Sequence, residues 1–224
     1  MSGRIRKALL IGASPKGMRG ASWSLGCYVL DCLESQGIAA RKRGLRPHET
    51  IREDVAWADL LILSFPLYAD GVPSQLLRLM QRLAAERPGP KFLAAFCNCG
   101  FPESRQNETA LRICRKFASE AGFAWLGGVG RGGGGMLSGQ PLREAGGAFE
   151  KTRRALAEAA GALAKAEPIP DRVVLEAEAP LIPDWAYRST ATLAMLYGLL
   201  KNGRFSKRND RPFDRLPDPF PGSL

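Results

Sequence analysis

Histidine is almost missing from this chain. Of 224 residues only His48 is one, and it sits in RPHET between two predicted elements. It reads as a surface or capping residue rather than a catalytic one. Cysteine is scarce and poorly spaced for chemistry: Cys27, Cys32, Cys97, Cys99 and Cys114 form no Cys-x-x-Cys pair and leave an odd count. Zinc and redox-dithiol chemistry are therefore not expected, and the five thiols read as reduced and mostly buried, which fits a cytoplasmic compartment. Long apolar runs are absent too. The stretch Ala8–Ile11 is too short for a secretion signal. The segment near Leu193–Leu200 falls well short of the roughly 20 residues of a membrane span, so no stable membrane insertion is expected.

What the chain does have is an excess of positive charge, +10 formally, and 45% hydrophobic residues, enough for a sizeable core. Short apolar runs alternate with helical patterns. Strands are predicted over 5–11, 38–43, 60–64, 92–97 and 123–129. Helices are predicted over 22–36, 49–57, 73–85, 103–121 and 147–165. Five strand–helix repeats predict an α/β doubly wound sheet of five parallel strands, order 2-1-3-4-5, the flavodoxin-like arrangement. This domain is expected over residues 1–166. Residues 167–224, with a proline-rich connector, an apolar segment over 185–200 and a basic tail, form a C-terminal extension packing on the domain or on a partner subunit.

In such a sheet, ligands sit at the carboxyl ends of the strands. Three loops share that edge. The first, GASPKGMRGASWS, leads into a helix N-terminus and carries Ser14, Lys16, Gly17, Ser22 and Ser24, which suits an oxyanion. It is not a Walker loop, because Met18-Arg19 stand where Lys-Ser or Lys-Thr is needed, and Gly-x-Gly-x-x-Gly is absent. An ATPase and a Rossmann dehydrogenase are both disfavoured. The second loop, SFPLYADGVPS, presents Tyr68 and Asp70; the third, NCGFPES, presents Asn98, Gly100 and Phe101. Together they suit a planar, apolar, hydrogen-bonding ligand.

Those stretches, with AGFAWLGGVGRGGGGMLSG further on, resemble the flavodoxin-like NAD(P)H-dependent oxidoreductases of the FMN reductase group, over about residues 5–140. The resemblance implies bound FMN, with NAD(P)H as co-substrate. It implies that Ser14, Lys16, Ser22 and Ser24 hold phosphate and ribityl. Pro66, Leu67 and Tyr68 would flank the ring on one side, and Asn98, Gly100 and Phe101 on the other. It further implies a small-molecule electron acceptor, such as a quinone, a flavin or another electrophile, and a homodimer. There are departures: Ser-Pro-Lys replaces the commoner Ser-Pro-Arg, and the cysteine cluster of the iron–sulfur members is missing.

If FMN is bound, the flavin performs the redox step, so no protein side chain is assigned as catalytic and no metal is expected. The glycine-rich loop 130–139 reads as a mobile rim over the flavin, with Arg131 able to meet a nicotinamide phosphate. The alternative is a flavodoxin-like electron carrier, or a flavin-free binding or regulatory protein, without nicotinamide activity; carriers are usually acidic, against the +10 here. The tail 201–215, with six basic and two acidic residues, reads as packing or dimer contact in preference to a nucleic-acid patch or an anionic membrane surface.

Overall fold

A computed structural model describes residues 4–45, 51–137 and 139–210. His48 and the tail beyond Asp210 lie outside the described residues. The chain divides into two compact units, Met1–Leu181 and Ile182–Leu224.

The first unit is built on five parallel strands: β1 (Lys7–Gly12), β2 (Ala39–Gly44), β3 (Leu60–Pro66), β4 (Phe92–Asn98) and β5 (Ala124–Arg131). They lie in the order β2-β1-β3-β4-β5, as the alternation predicts. Between them run α1 (Ala21–Glu34), α2 (Arg52–Trp57), α3 (Ser74–Glu86) and α4 (Glu108–Ala121), followed by α5 (Glu150–Ala164) and α6 (Asp171–Glu178).

The central strands are apolar on both faces because helices cover both faces. Successive side chains alternate. Leu10, Ile62, Ala94 and Phe96 point into a core with Leu25, Val29 and Leu33 of α1 and Leu156 and Leu163 of α5. Leu9, Ile11, Leu61, Leu63 and Phe65 point the other way, toward Leu76, Leu79 and Leu83 of α3 and Cys114 and Phe117 of α4. The parallel register aligns the strand ends: Gly12 pairs with Ser64, Pro66 with Asn98, and Asn98 with Arg131. Four loops therefore leave one edge together.

The expectation divided the chain at Ala166; the compact unit runs on to Leu181. Ile169, Val173 and Ala177 are buried in the first core, and the Ile169 N–H donates to the Leu126 carbonyl at 2.7 Å. The residues after Ala166 are thus stitched to β5. The second unit contains α7 (Asp184–Lys201).

Helix α1 lies very close to the sheet. A Cβ on Gly26 would stand 2.6 Å from Leu10 Cδ1 and 2.8 Å from Ser64 Cβ. Alanine is the better helix former by about 1 kcal/mol, but overpacking against a strand commonly costs about 1–3 kcal/mol, and here three contacts, Ser64 Oγ at 2.9 Å included, fall inside van der Waals distance. Gly26→Ala is expected to lower unfolding free energy by about 1–2 kcal/mol. Urea denaturation checks it, and a variant as stable as the parent would show that α1 can back away from the sheet.

Candidate functional site

The first loop is a tight turn on Ser14. Its Oγ accepts the Lys16 N–H at 3.2 Å, and its carbonyl accepts the Gly17 N–H at 2.8 Å. Gly17 has φ +58°, a left-handed conformation that favours glycine. The chain enters α1 through Gly20, whose missing side chain leaves room for Ser14: a Cβ there would lie 2.6 Å from Ser14 Oγ. No side chain caps α1. A helix start without a side-chain cap, beside Lys16 and Arg19, favours an anion.

The loops border a cleft of about 550 Å³. Ser14, Lys16, Arg19, Gly20 and Ala21 form its basic end. Pro66, Leu67 and Tyr68 line it from the second loop, and the Leu67 N–H donates to the Asn98 carbonyl at 2.7 Å. Tyr68 and Gly71 exchange backbone hydrogen bonds across Ala69 and Asp70, which have φ +45° and +57°; positive φ at both central positions marks a type I′ turn. From the third loop come Asn98 and Gly100. Asn98 is buried, and its Oδ1 has no hydrogen-bond partner.

Four of the residues expected from sequence, Ser22, Ser24, Phe101 and Gly17, are not brought to this cleft. Ser22 is buried on the sheet-facing side of α1, its carbonyl accepting the Ser64 hydroxyl at 2.5 Å. Ser24 Oγ accepts the Leu142 N–H at 2.6 Å and lines a separate hollow of about 190 Å³ with Trp23 and Tyr28. Helical periodicity explains Ser22: it shares a face with Leu25, Gly26 and Val29, the residues that pack on the sheet. Phe101 is 57% exposed and does not line the cleft; its carbonyl accepts the Gly133 N–H at 2.6 Å. Gly17 shapes the turn without lining the cleft.

The cleft instead gains Gly134, Gly135 and Gly139 from the fourth loop, and Arg19 and Gly20 from the first. The glycine-rich loop is not held open as slack chain. A Cβ on Gly132 would lie 2.2 Å from the Pro102 carbonyl oxygen, and one on Gly134 would lie 2.1 Å from Asn98 Nδ2. The Gly134 N–H donates to the Cys99 carbonyl at 2.9 Å. These glycines allow close backbone packing onto the third loop, which a run of glycine in sequence does not distinguish from flexibility.

Arg131 needs correction as a nicotinamide contact. It is 3% exposed and turned toward α6, where it donates to the carbonyls of Ala177, at 2.8 Å, and Ala179. It therefore closes the C-terminus of α6, where a cation is favourable. Burial pulls its pKa down to about 10, and burial also pushes the neighbouring Glu178 carboxyl up, although that carboxyl accepts the Gly130 N–H at 2.9 Å. Among the described residues, no group of three His, Cys, Asp or Glu side chains is placed to hold a metal ion.

No family model matches the sequence, and no curated protein does. Solved structures do match. One is a Trp repressor binding protein from Bacillus subtilis, 16% identical, with a TM-score of 0.51 over 67% of this chain and 98% of that one. The fold is flavodoxin-like. An NADPH-quinone reductase from P. pentosaceus is similar too, at 16% identity and a TM-score of 0.51, covering 70% of this chain and 97% of that one. A third is rubredoxin oxygen:oxidoreductase from Desulfovibrio gigas, 14% identical with a TM-score of 0.52; 74% of this chain matches 37% of it. At these identities the likeness establishes the fold alone.

Removing the Arg131 side chain would strand Glu178 beside an uncapped helix end. Arg131→Ala is expected to cost about 3 kcal/mol of stability in urea; an unchanged midpoint would mean that α6 does not depend on this contact. At the second loop the strain runs the other way. Alanine in the left-handed region costs about 1–2 kcal/mol, partly offset by the extra unfolded-state freedom of glycine. Ala69→Gly is expected to raise stability by about 0.5 kcal/mol, read as a small increase in melting temperature.

Proposed function

We propose that this chain is an FMN-dependent NAD(P)H oxidoreductase that passes electrons from the nicotinamide, through bound FMN, to a small acceptor such as a quinone, a flavin or another electrophile. The observation that carries this reading is the pairing of two unlike ends in one cleft. The uncapped start of α1, with Lys16 and Arg19, offers a seat for a phosphate. Pro66, Leu67 and Tyr68 offer a largely apolar wall for a flat ring, opposite glycines that let the backbone come close. The residues present fit the group: the cationic end with its uncapped helix start suits a phosphate, and the Pro66–Tyr68 wall suits a flat ring.

Bound FMN would supply hydride acceptance and onward electron delivery. The protein's part is binding and access. Ser14 holds the first-loop turn through its bond to the Lys16 N–H, Lys16 and Arg19 would neutralise the phosphate, and Tyr68 would help hold the ring. The solved NADPH-quinone reductase supports a nicotinamide donor and a quinone-class acceptor by analogy of fold. A pure electron carrier is disfavoured by the +10 charge. We further propose a homodimer, as in the resembling group.

The phosphate seat is tested by comparing FMN with riboflavin, which lacks the phosphate. Lys16→Ala is expected to weaken FMN binding by roughly 10-fold, the loss of one charge-assisted contact, and to leave riboflavin binding unchanged. Fluorescence quenching of each flavin on titration reads both. Equal loss for both flavins would place Lys16 at the ring or in the fold; no loss for either would move the phosphate elsewhere.

A further inference from the structure

The second unit carries a surface that the oxidoreductase reading does not use. In α7, Trp185, Leu193, Met195, Tyr197 and Leu200 are between 58% and 73% exposed. Leu193, Leu196, Tyr197 and Leu200 follow the i, i+3, i+4, i+7 spacing of one helical stripe. Residues 189–200, STATLAMLYGLL, contain no charge. A helix this apolar is normally covered.

Charge indicates what covers it. Directly after the apolar stretch comes KNGRFSKR, residues 201–208, with four cations and no acid. Phe205 stands among them, partly exposed, with the Arg208 guanidinium 5.0 Å from its ring centre. Apolar helix followed at once by a basic cluster is the pattern that binds anionic lipid: acyl chains take the stripe and headgroup phosphates take the cations. The aromatic residues Trp185 and Tyr197 suit the boundary between the two. A second copy of the chain would offer apolar surface but the same positive charge. The uncharged stretch is about 18 Å long as a helix, short of the roughly 30 Å hydrocarbon core, so this helix lies in the membrane surface rather than across it. Among the described residues, no helix is long and apolar enough to cross a membrane.

We infer that α7 and the basic segment 201–208 dock the chain on an anionic lipid surface. The test is co-flotation of the full chain with phosphatidylcholine vesicles, with and without a minority of phosphatidylglycerol. Binding is expected to the anionic vesicles and to fall steeply at high salt. Replacing Lys201, Arg204, Lys207 and Arg208 by Gln is expected to cut the partition coefficient by roughly 1,000-fold. Leu193→Glu with Leu200→Glu is expected to abolish binding while leaving the circular dichroism melting curve of the sheet unit in place. Equal binding to neutral and anionic vesicles would overturn the inference. So would failure to bind by a stable dimer that the double Glu variant splits, because α7 would then be an interface between copies.

Discussion

The approach of α1 to the sheet is the constraint on which the cleft depends. Gly26 brings the helix against Leu10 and Ser64, and Trp23 lies over Gly12, where a Cβ would meet its ring at 2.3 Å. The Ser64 hydroxyl then bonds the Ser22 carbonyl in the first turn. These contacts fix the start of α1 beside the end of β1. The peptide groups there can face a ligand because no side chain has been recruited to cap them. A helix a few tenths of an ångström farther out would loosen both the turn on Ser14 and the basic end of the cleft.

The other loops are held by backbone contacts more than by side chains. The Leu67 N–H reaches the carbonyl of Asn98, the Cys99 N–H that of Arg131, and the Gly133 N–H that of Phe101. The rim is thus a laced set of main chains, in which glycine is needed for proximity. Behind it, α6 is tied to the end of β5 through Arg131 and Glu178, so that residues beyond the sheet support the cleft from its dry side. Residues that line the cleft are thus distinct from those, such as Arg131 and Glu178, that hold its loops from behind.

Much of this was legible in the sequence. Strand periodicity, helix stops and the order of the alternation were sufficient for the sheet and for the edge on which the loops gather, because burial on both faces leaves a plain apolar signal in LLIL and FLAAF. Lys16, Pro66, Leu67, Tyr68, Asn98 and Gly100 all line one cleft. Ser22 and Ser24 do not, since loop composition says which groups are available and only helix phase says where they point. Arg131 was misread for a related reason: a charged residue at a strand end resembles a ligand contact unless the partner carbonyls, here at the end of a later helix, are known. The packing of Gly132 and Gly134 is likewise a tertiary fact with no local mark.

The central claim is that the cleft binds a flavin that a nicotinamide can reduce. The most direct measurement is the visible absorption spectrum of the purified chain, incubated with FMN, freed of unbound flavin and then treated anaerobically with NADPH. The account predicts a retained yellow chromophore that bleaches on NADPH addition. A chain that leaves the desalting column colourless would contradict it at the flavin, and a yellow chain that NADPH does not bleach would contradict it at the nicotinamide.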